Sequence, residues 1–262
     1  MPSGLRKLKE FSLCALALGR TPREKWEIFS RQTKNVRARL GLACYHPELI
    51  YALPTRYGTL FLRDNFGDVT NLPDLFYHNV YRLGRLEEEG VILDIGANIG
   101  LFAAWAALHN PGRRIYCFEP LASNLPLIRR NCPTAIVHRV ALGRDRATVK
   151  LRVDNHGIMA SRIPTAWPSR EEEFEMMSLD EFVQENAIED IAFMKIDAEG
   201  MELEILDGGR ETLGKTCRVA METHGREVHR ECLRRLADAR LAVEAEEFSG
   251  TTGLVFASRA GA

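Results

Sequence analysis

A chain of 262 residues, 45% hydrophobic and 27% charged, has the size of one large α/β domain with an extension and the composition for a sizeable core. Its 35 Lys and Arg nearly cancel its 36 Asp and Glu, so it lacks the global field that concentrates nucleic acid or an anionic membrane at a surface, and no nucleic-acid partner is expected. Its six cysteines, Cys14, Cys44, Cys117, Cys132, Cys217 and Cys232, form no C-x-x-C pair; they read as reduced core thiols of a cytoplasmic protein and argue against a zinc site or a disulfide scaffold.

Residues 1 to about 50 are basic and helix-forming. The apolar run Phe11 to Gly19 follows Arg6, Lys7 and Lys9 and so resembles a signal peptide, but it is too short to span a bilayer and Ser12 interrupts it. Leu5, Leu8 and Phe11 at three-residue spacing favour an amphipathic helix, and no transmembrane segment is expected. Thr21-Pro22 places a second helix start near Trp26. Tyr57 to Leu62 is rich in β-forming residues and predicts a strand, with a polar turn over Arg63 to Asp68. Residues 1–75 are therefore expected to be an accessory piece of helices and a strand, and 76–262 the main domain.

From Val91 onward the chain alternates. Val91 to Asp94 predicts a strand, Leu101 to His109 a helix and Ile115 to Phe118 a strand ending in Glu119-Pro120, which together make a βαβ unit. Asn124 to Asn131 predicts a helix, Ala135 to Val140 a strand, and Ala147 to Val153 a further strand paired with it across the Gly143 to Arg146 turn. Residues 154 to 177 read as a long loop with the acidic run Glu171 to Glu173. Then come a helix over Leu179 to Glu185, a buried strand over Ile191 to Asp197, a helix over Met201 to Leu206, a strand from Cys217 running into Glu222-Thr223-His224-Gly225, and a helix over Glu227 to Ala239. Strands near Leu241 to Phe248 and Gly253 to Ala257 close the chain. The alternation predicts an α/β fold, doubly wound and Rossmann-like, with a parallel sheet. Ligands of such sheets bind beyond the carboxyl ends of the strands, where Asp94, Glu119, Asp197 and Glu222 fall.

The loop Asp94-Ile-Gly96-Ala-Asn98-Ile-Gly100 is D-x-G-x-x-x-G and does not match the dinucleotide fingerprint G-x-G-x-x-G. A carboxylate at this strand end would repel a pyrophosphate on the following helix N-terminus, but it suits a ligand carrying a sulfonium and an ammonium. The cofactor expected is S-adenosyl-L-methionine, bound by Asp94, Gly96, Asn98, Gly100, Glu119 and Asn124. Gly96 and Gly100 let the backbone approach closely, and Glu119 stands where a carboxylate reaches the two hydroxyls of a ribose. Taken singly, the glycines are also explained by a tight turn and Glu119 by a solvated strand end; the ordered set favours a ligand. Asn124 either caps the next helix, the preferred reading, or touches the adenosine.

These motifs, with Cys117-Phe-Glu-Pro120, Val140-Ala-Leu-Gly143, Ser178-Leu-Asp180, Phe193-Met-Lys-Ile-Asp-Ala-Glu-Gly200 and Glu222-Thr-His224, resemble in order those of the FkbM methyltransferases. The resemblance covers roughly residues 57 to 225. It implies a class I methyltransferase sheet, seven strands and mostly parallel with the last antiparallel, over 76–262. It also implies methyl transfer from S-adenosyl-L-methionine, usually to a hydroxyl of a small molecule or glycan acceptor.

Such a transfer needs an acceptor oxygen held near the methyl and a group that takes its proton. His224, which titrates near neutrality and follows a strand end, is the candidate general base, though a satisfied loop histidine is an equal alternative. Asp197 and Glu222 are further candidate catalytic residues, and Glu199 a weaker one. Lys195, inside a buried strand, is expected to pair with a carboxylate. No metal is assigned; Asp197, Glu199, Glu222 and His224 as ligands of a divalent cation are the alternative. A non-catalytic adenosine-binding module and a nicotinamide oxidoreductase are the competing functions, the latter disfavoured by the missing fingerprint.

Overall fold

The computed structural model describes residues 4–154, 160–163 and 169–260. The chain divides into two compact units, Met1–Val80 and Tyr81–Ala262.

In the first unit, α1 (Gly4–Leu18) turns Phe11, Cys14, Ala15 and Leu18 inward at helical spacing, so the signal-like run is one face of an amphipathic helix. The second helix, α2 (Pro22–Arg39), starts at Pro22 rather than near Trp26, because Thr21 and Glu24 form a reciprocal capping box: Glu24 N donates to Thr21 Oγ1 and Thr21 N to Glu24 Oε2, each at 3.2 Å. Strands β1 (His46–Thr55) and β2 (Gly58–Asp64) form an antiparallel hairpin, of which the sequence showed only the second strand. The turn expected over 63–68 is instead the end of β2 and the start of α3 (Phe66–Leu72). Asn65 caps α3 by accepting from Asp68 N at 2.7 Å, and the Asp68 carboxylate pairs with the buried Arg63 guanidinium at 3.0 Å. These polar residues look turn-like, but Arg63 and Asp68 are buried as a pair and Asp68 N is capped by Asn65. A π-helical turn over Pro73–Tyr77 follows.

The second unit contains β3 (Val91–Ile95), α4 (Leu101–His109), β4 (Ile115–Phe118), α5 (Leu125–Asn131), β5 (Ile136–His138), β6 (Ala141–Gly143), β7 (Ala147–Asp154), β8 (Ala160–Ser161), β9 (Ser169–Ser178) and α6 (Leu179–Glu185). It continues through β10 (Ile191–Ile196), α7 (Glu202–Asp207), α8 (Arg210–Gly214), β11 (Thr216–His224), α9 (Arg226–Asp238), β12 (Leu241–Ser249) and β13 (Thr252–Arg259). Seven strands form the central sheet in the order β12-β13-β11-β10-β3-β4-β5, with β5, β4, β3, β10 and β11 parallel and β13, the last in the chain, antiparallel to both its neighbours. The sheet is thus mostly parallel with an antiparallel strand. Every residue of β3, β4 and β10 is buried, which is why they are continuous apolar runs. No helix among the described residues is long and apolar enough to cross a membrane.

A second sheet, ordered β6-β9-β7-β8, corrects the reading of 135–177. The strand at 147–154 does not pair with the one near 136–138. Instead β5 joins the central sheet beside β4, and β9 lies between β6 and β7, with Met176 the register partner of both Ala141 and Ala147. Of the stretch expected as a long loop, residues 155–159 and 164–168 lie outside the described residues, and 169–178 are strand. The acidic run Glu171 to Glu173 belongs to that strand because it faces a basic partner: Glu171 sits opposite Arg152 and Glu173 opposite Lys150, with Lys150 Nζ 3.6 Å from Glu173 Oε1. All six cysteines are free; Cys14, Cys117, Cys132 and Cys232 are core thiols, Cys217 is half-buried, and Cys44, expected in the core, is exposed.

Candidate active site

The parallel strands β4, β3, β10 and β11 end side by side, and the loops at their carboxyl ends carry the residues singled out above. At the end of β3 the backbone turns through Gly96 (φ +74°) and Gly100 (φ +79°), both left-handed, and Asn98 between them is left-handed too at φ +47°. Gly96 also lacks room for a side chain: a Cβ there would strike the carbonyl oxygen of Asp197. Amides Gly96 N and Ala97 N both donate to Phe118 O, at 3.1 and 3.0 Å, and α4 starts straight after Gly100.

Glu119 follows β4 and is fixed from two sides. Its Oε2 accepts from Asn98 N at 2.8 Å and its Oε1 from Leu121 N at 2.9 Å, so one carboxylate joins the glycine loop to the end of β4. Burial pushes this carboxyl up to about 7, against the lowering effect of those amides and of the Asn124 side chain. Asn124 stands at the cap position of α5 but makes no side-chain cap bond; it hydrogen-bonds Glu119 instead, so the preferred capping reading does not hold.

Asp94 is fully buried beside Lys195, yet neither of its carboxylate oxygens has a hydrogen-bond partner among the described residues, and burial outweighs the lysine and raises its pKa. It is the register partner of Lys195 on β10, and Lys195 Nζ lies 3.2 Å from its Oδ1. The ammonium also donates to Gly96 O at 2.6 Å and stands 3.8 Å from Asp197 Oδ2. Burial works against charging Lys195, but Asp94 and Asp197 outweigh it and raise its pKa. Asp94 and Lys195 thus join β3 and β10 at their carboxyl ends. Asp197 Oδ2 accepts a further hydrogen bond from the Tyr81 hydroxyl at 3.0 Å.

Beyond β10 and β11 the remaining candidates converge. His224 Nε2 is 3.5 Å from Glu199 Oε2 and 3.8 Å from Glu222 Oε1, and one ligand atom each from Asp197, Glu199 and His224 fall within 4.8 Å of one another. Those three could hold a divalent cation. On the other side of the ring, Nδ1 lies 2.7 Å from Glu202 Oε1. Burial alone would lower the imidazole's pKa, but the Glu202 hydrogen bond and the charges of Glu199, Glu202 and Asp197 push it up to about 9. Burial and the charge of Asp197 raise the carboxyls of Glu199 and Glu222. The cluster holds more protons than isolated residues would, so proton exchange at neutral pH is within its reach.

Two residues of this arrangement were missed in the sequence. Glu202 had a faint signal, following Glu199-Gly200 by two positions, and Tyr81 had none. Asp180, from the Ser178-Leu-Asp180 motif, lies apart from the cluster: its carboxylate accepts from Glu211 N and Thr212 N and fixes the start of α8.

A family model described as the methyltransferase FkbM domain matches residues 94–248. Among curated proteins, the chain is 38% identical over 65 residues to 31-O-demethyl-FK506 methyltransferase FkbM of Streptomyces tacrolimicus, a match that covers 25% of this chain and only 24% of that protein's length. It is 24% identical over 179 residues to hexuronic acid methyltransferase AglP of Haloferax volcanii, covering 68% of this chain and 74% of the relative. Among solved structures, methyltransferase FkbM from Methylobacillus flagellatus KT matches with 17% identity and a TM-score of 0.46, over 96% of this chain and 59% of that one. Aeropyrum pernix fibrillarin, solved with S-adenosyl-L-methionine, matches with 14% identity and a TM-score of 0.39 over 65% and 66%.

Proposed function

Since this chain belongs to the FkbM methyltransferase family, we propose that it is an S-adenosyl-L-methionine-dependent O-methyltransferase acting on a hydroxyl of a small molecule or a glycan. The observation that carries this reading is the placement of two groups at neighbouring strand ends: the Gly96–Gly100 loop with Glu119 clamped to it, and the Asp197, Glu222 and His224 cluster beside it. The hexuronic acid in the name of the archaeal relative is an acceptor of the sugar class proposed.

The residues present fit the cofactor. Glu119 is a carboxylate fixed by two amides just beyond β4, with Asn124 supporting it, and a carboxylate at that strand end supports a role toward the ribose hydroxyls. Gly96, Asn98 and Gly100 give the loop its left-handed turns, and at Gly96 and Gly100 the neighbouring Asp197 carbonyl and Ile128 leave no room for a side chain. Attraction for the cationic donor comes from Asp197, whose side chain is 26% exposed, with Lys195 and Asp94 behind it.

Bound S-adenosyl-L-methionine supplies an electrophilic methyl group. The chain's own task is then to orient an acceptor oxygen and remove its proton. His224 takes that proton on Nε2, the nitrogen that faces Glu199 and Glu222, and Asp197 and Glu222 hold the hydroxyl by accepting its hydrogen bond or that of a neighbouring group. A base with a raised pKa is charged below that value, so activity should climb with pH. Incubation with methyl-labelled donor and a panel of hydroxylated metabolites and glycans tests the proposal: label in an ether is expected, and label only in amines or carboxylates, or none with any acceptor, counts against it.

A further inference from the structure

Within that methyl-transfer reading, on which the role below rests, we propose that Glu202 is the positioning residue for His224: its carboxylate takes the Nδ1–H of the imidazole and leaves Nε2 as the face that accepts the proton of the acceptor hydroxyl.

Glu202 is the first residue of α7 and is fully buried, yet it is a carboxylate. A charge placed there is retained only with a partner. Its Oε1 accepts from Gly200 N at 2.9 Å and sits 2.7 Å from His224 Nδ1, whereas Oε2 has no hydrogen-bond partner among the described residues. The imidazole is thus the group that answers the buried charge. With Nδ1 committed as donor, the neutral ring has its lone pair on Nε2, turned toward the partly exposed Glu199 at 3.5 Å and Glu222 at 3.8 Å. The charged groups around the ring are Glu202 from α7, Asp197 and Glu199 from the segment between β10 and α7, and Glu222 on its own strand, with Lys195 behind Asp197. Across the sheet its partner on β13 is the uncharged Thr252. The 2.7 Å contact at Nδ1 is the shortest of these and the one within close hydrogen-bond distance, so it sets the ring's tautomer. The arrangement is that of a base held by a buried acid, which sets both ring orientation and basicity.

A plain structural role is the alternative, in which Glu202 only closes the turn at Gly200. Glu202→Gln separates the two, because the amide oxygen can still accept from Gly200 N but carries no charge. Imidazole resonances of the full chain, assigned by loss of one set in His224→Gln, are titrated by NMR in wild type and Glu202→Gln. The expected result is that the His224 midpoint falls toward the ordinary histidine value in Glu202→Gln. The acid limb of the kcat profile should move down in parallel, with kcat reduced at least about tenfold and KM for the donor unchanged. An unaltered His224 midpoint and an unaltered pH profile in a folded Glu202→Gln overturn the proposal. If that variant does not fold, the wild-type ring decides: nitrogen shifts at alkaline pH that place the proton on Nδ1 are expected, and a proton on Nε2 or an even mixture overturns it. Failure of wild type to bind S-adenosylhomocysteine would remove the methyl-transfer reading, and with it the catalytic role, while the titration still reports whether Glu202 governs the ring.

Discussion

His224 lies 2.7 Å from one carboxylate and 3.5 and 3.8 Å from two more, so its proton is the most tightly governed in the cluster. Truncating it should remove chemistry and spare the cofactor loop: in His224→Ala, turnover is expected to drop by about 10²-fold or more, with S-adenosylhomocysteine affinity in calorimetry unchanged. A parallel loss of affinity would place the residue in cofactor binding. Because the imidazole must be neutral to accept a proton and its pKa is pushed up to about 9, kcat/KM should rise through neutrality and level off only in the alkaline range. A profile flat from pH 6 to 9 would exclude this base. The sequence could suggest His224 from its residue type and strand-end position, but not Glu202, which is 22 residues away along the chain and meets the ring only because α7 starts where β11 finishes.

Among the elements, β3 and β10 carry the register that makes the site possible. Their pairing sets Lys195 opposite Asp94, and a buried pair of this kind is costly to break singly. Lys195→Met should destabilise the chain by about 3–5 kcal/mol in urea denaturation, because Asp94 is left charged and unpaired. Adding Asp94→Asn to that variant should recover part of the loss, and simple additivity of the two substitutions would show that they are not coupled. Gly96→Ala places a methyl group against Asp197 O and a side chain at φ +74°, and should both lower stability and weaken the cofactor. The strands β3, β4 and β10 were legible because strands buried throughout are unbroken apolar runs. Strand β9 was not, since its face of glutamates reads as loop until Arg152 and Lys150 are placed opposite. Nor was β1, whose Pro47 and Pro54 obscure an edge strand. The pairing of β7 was misassigned because proximity along the chain favours a hairpin with residues 135–140, whereas β9, from farther along, separates β6 from β7.

Over the whole molecule, Glu119, Glu222 and His224 bias stability toward low pH. Glu119 is raised to about 7, Glu222 to about 8 and His224 to about 9, so the folded chain binds more protons than the unfolded one between roughly pH 5 and 9. Stability therefore falls as pH rises through this window: the carboxyls lose their favoured neutral form first, and the His224 contribution, complete below the ordinary histidine value, disappears as the ring deprotonates. The thermal midpoint should drop from pH 6 to pH 9, at roughly 2–4 °C per kcal/mol lost, and Glu119→Gln should flatten the slope; a midpoint that climbs over that interval would contradict these shifts. The alternating pattern gave the mostly parallel sheet from the sequence, and the ordered motifs gave the family. What remained hidden was how charge is distributed: the conspicuous Asp94 is fully buried beside Lys195, and the acids beyond β10 and β11 are the partly exposed ones. The claim on which the rest depends, that the Gly96–Gly100 loop and Glu119 bind an adenosylated methyl donor, is tested most directly by calorimetric titration of the full chain with S-adenosylhomocysteine. One-site binding that weakens about tenfold or more in Glu119→Ala is the expected result, and no binding by the folded wild-type chain, or equal affinity in the variant, would contradict it.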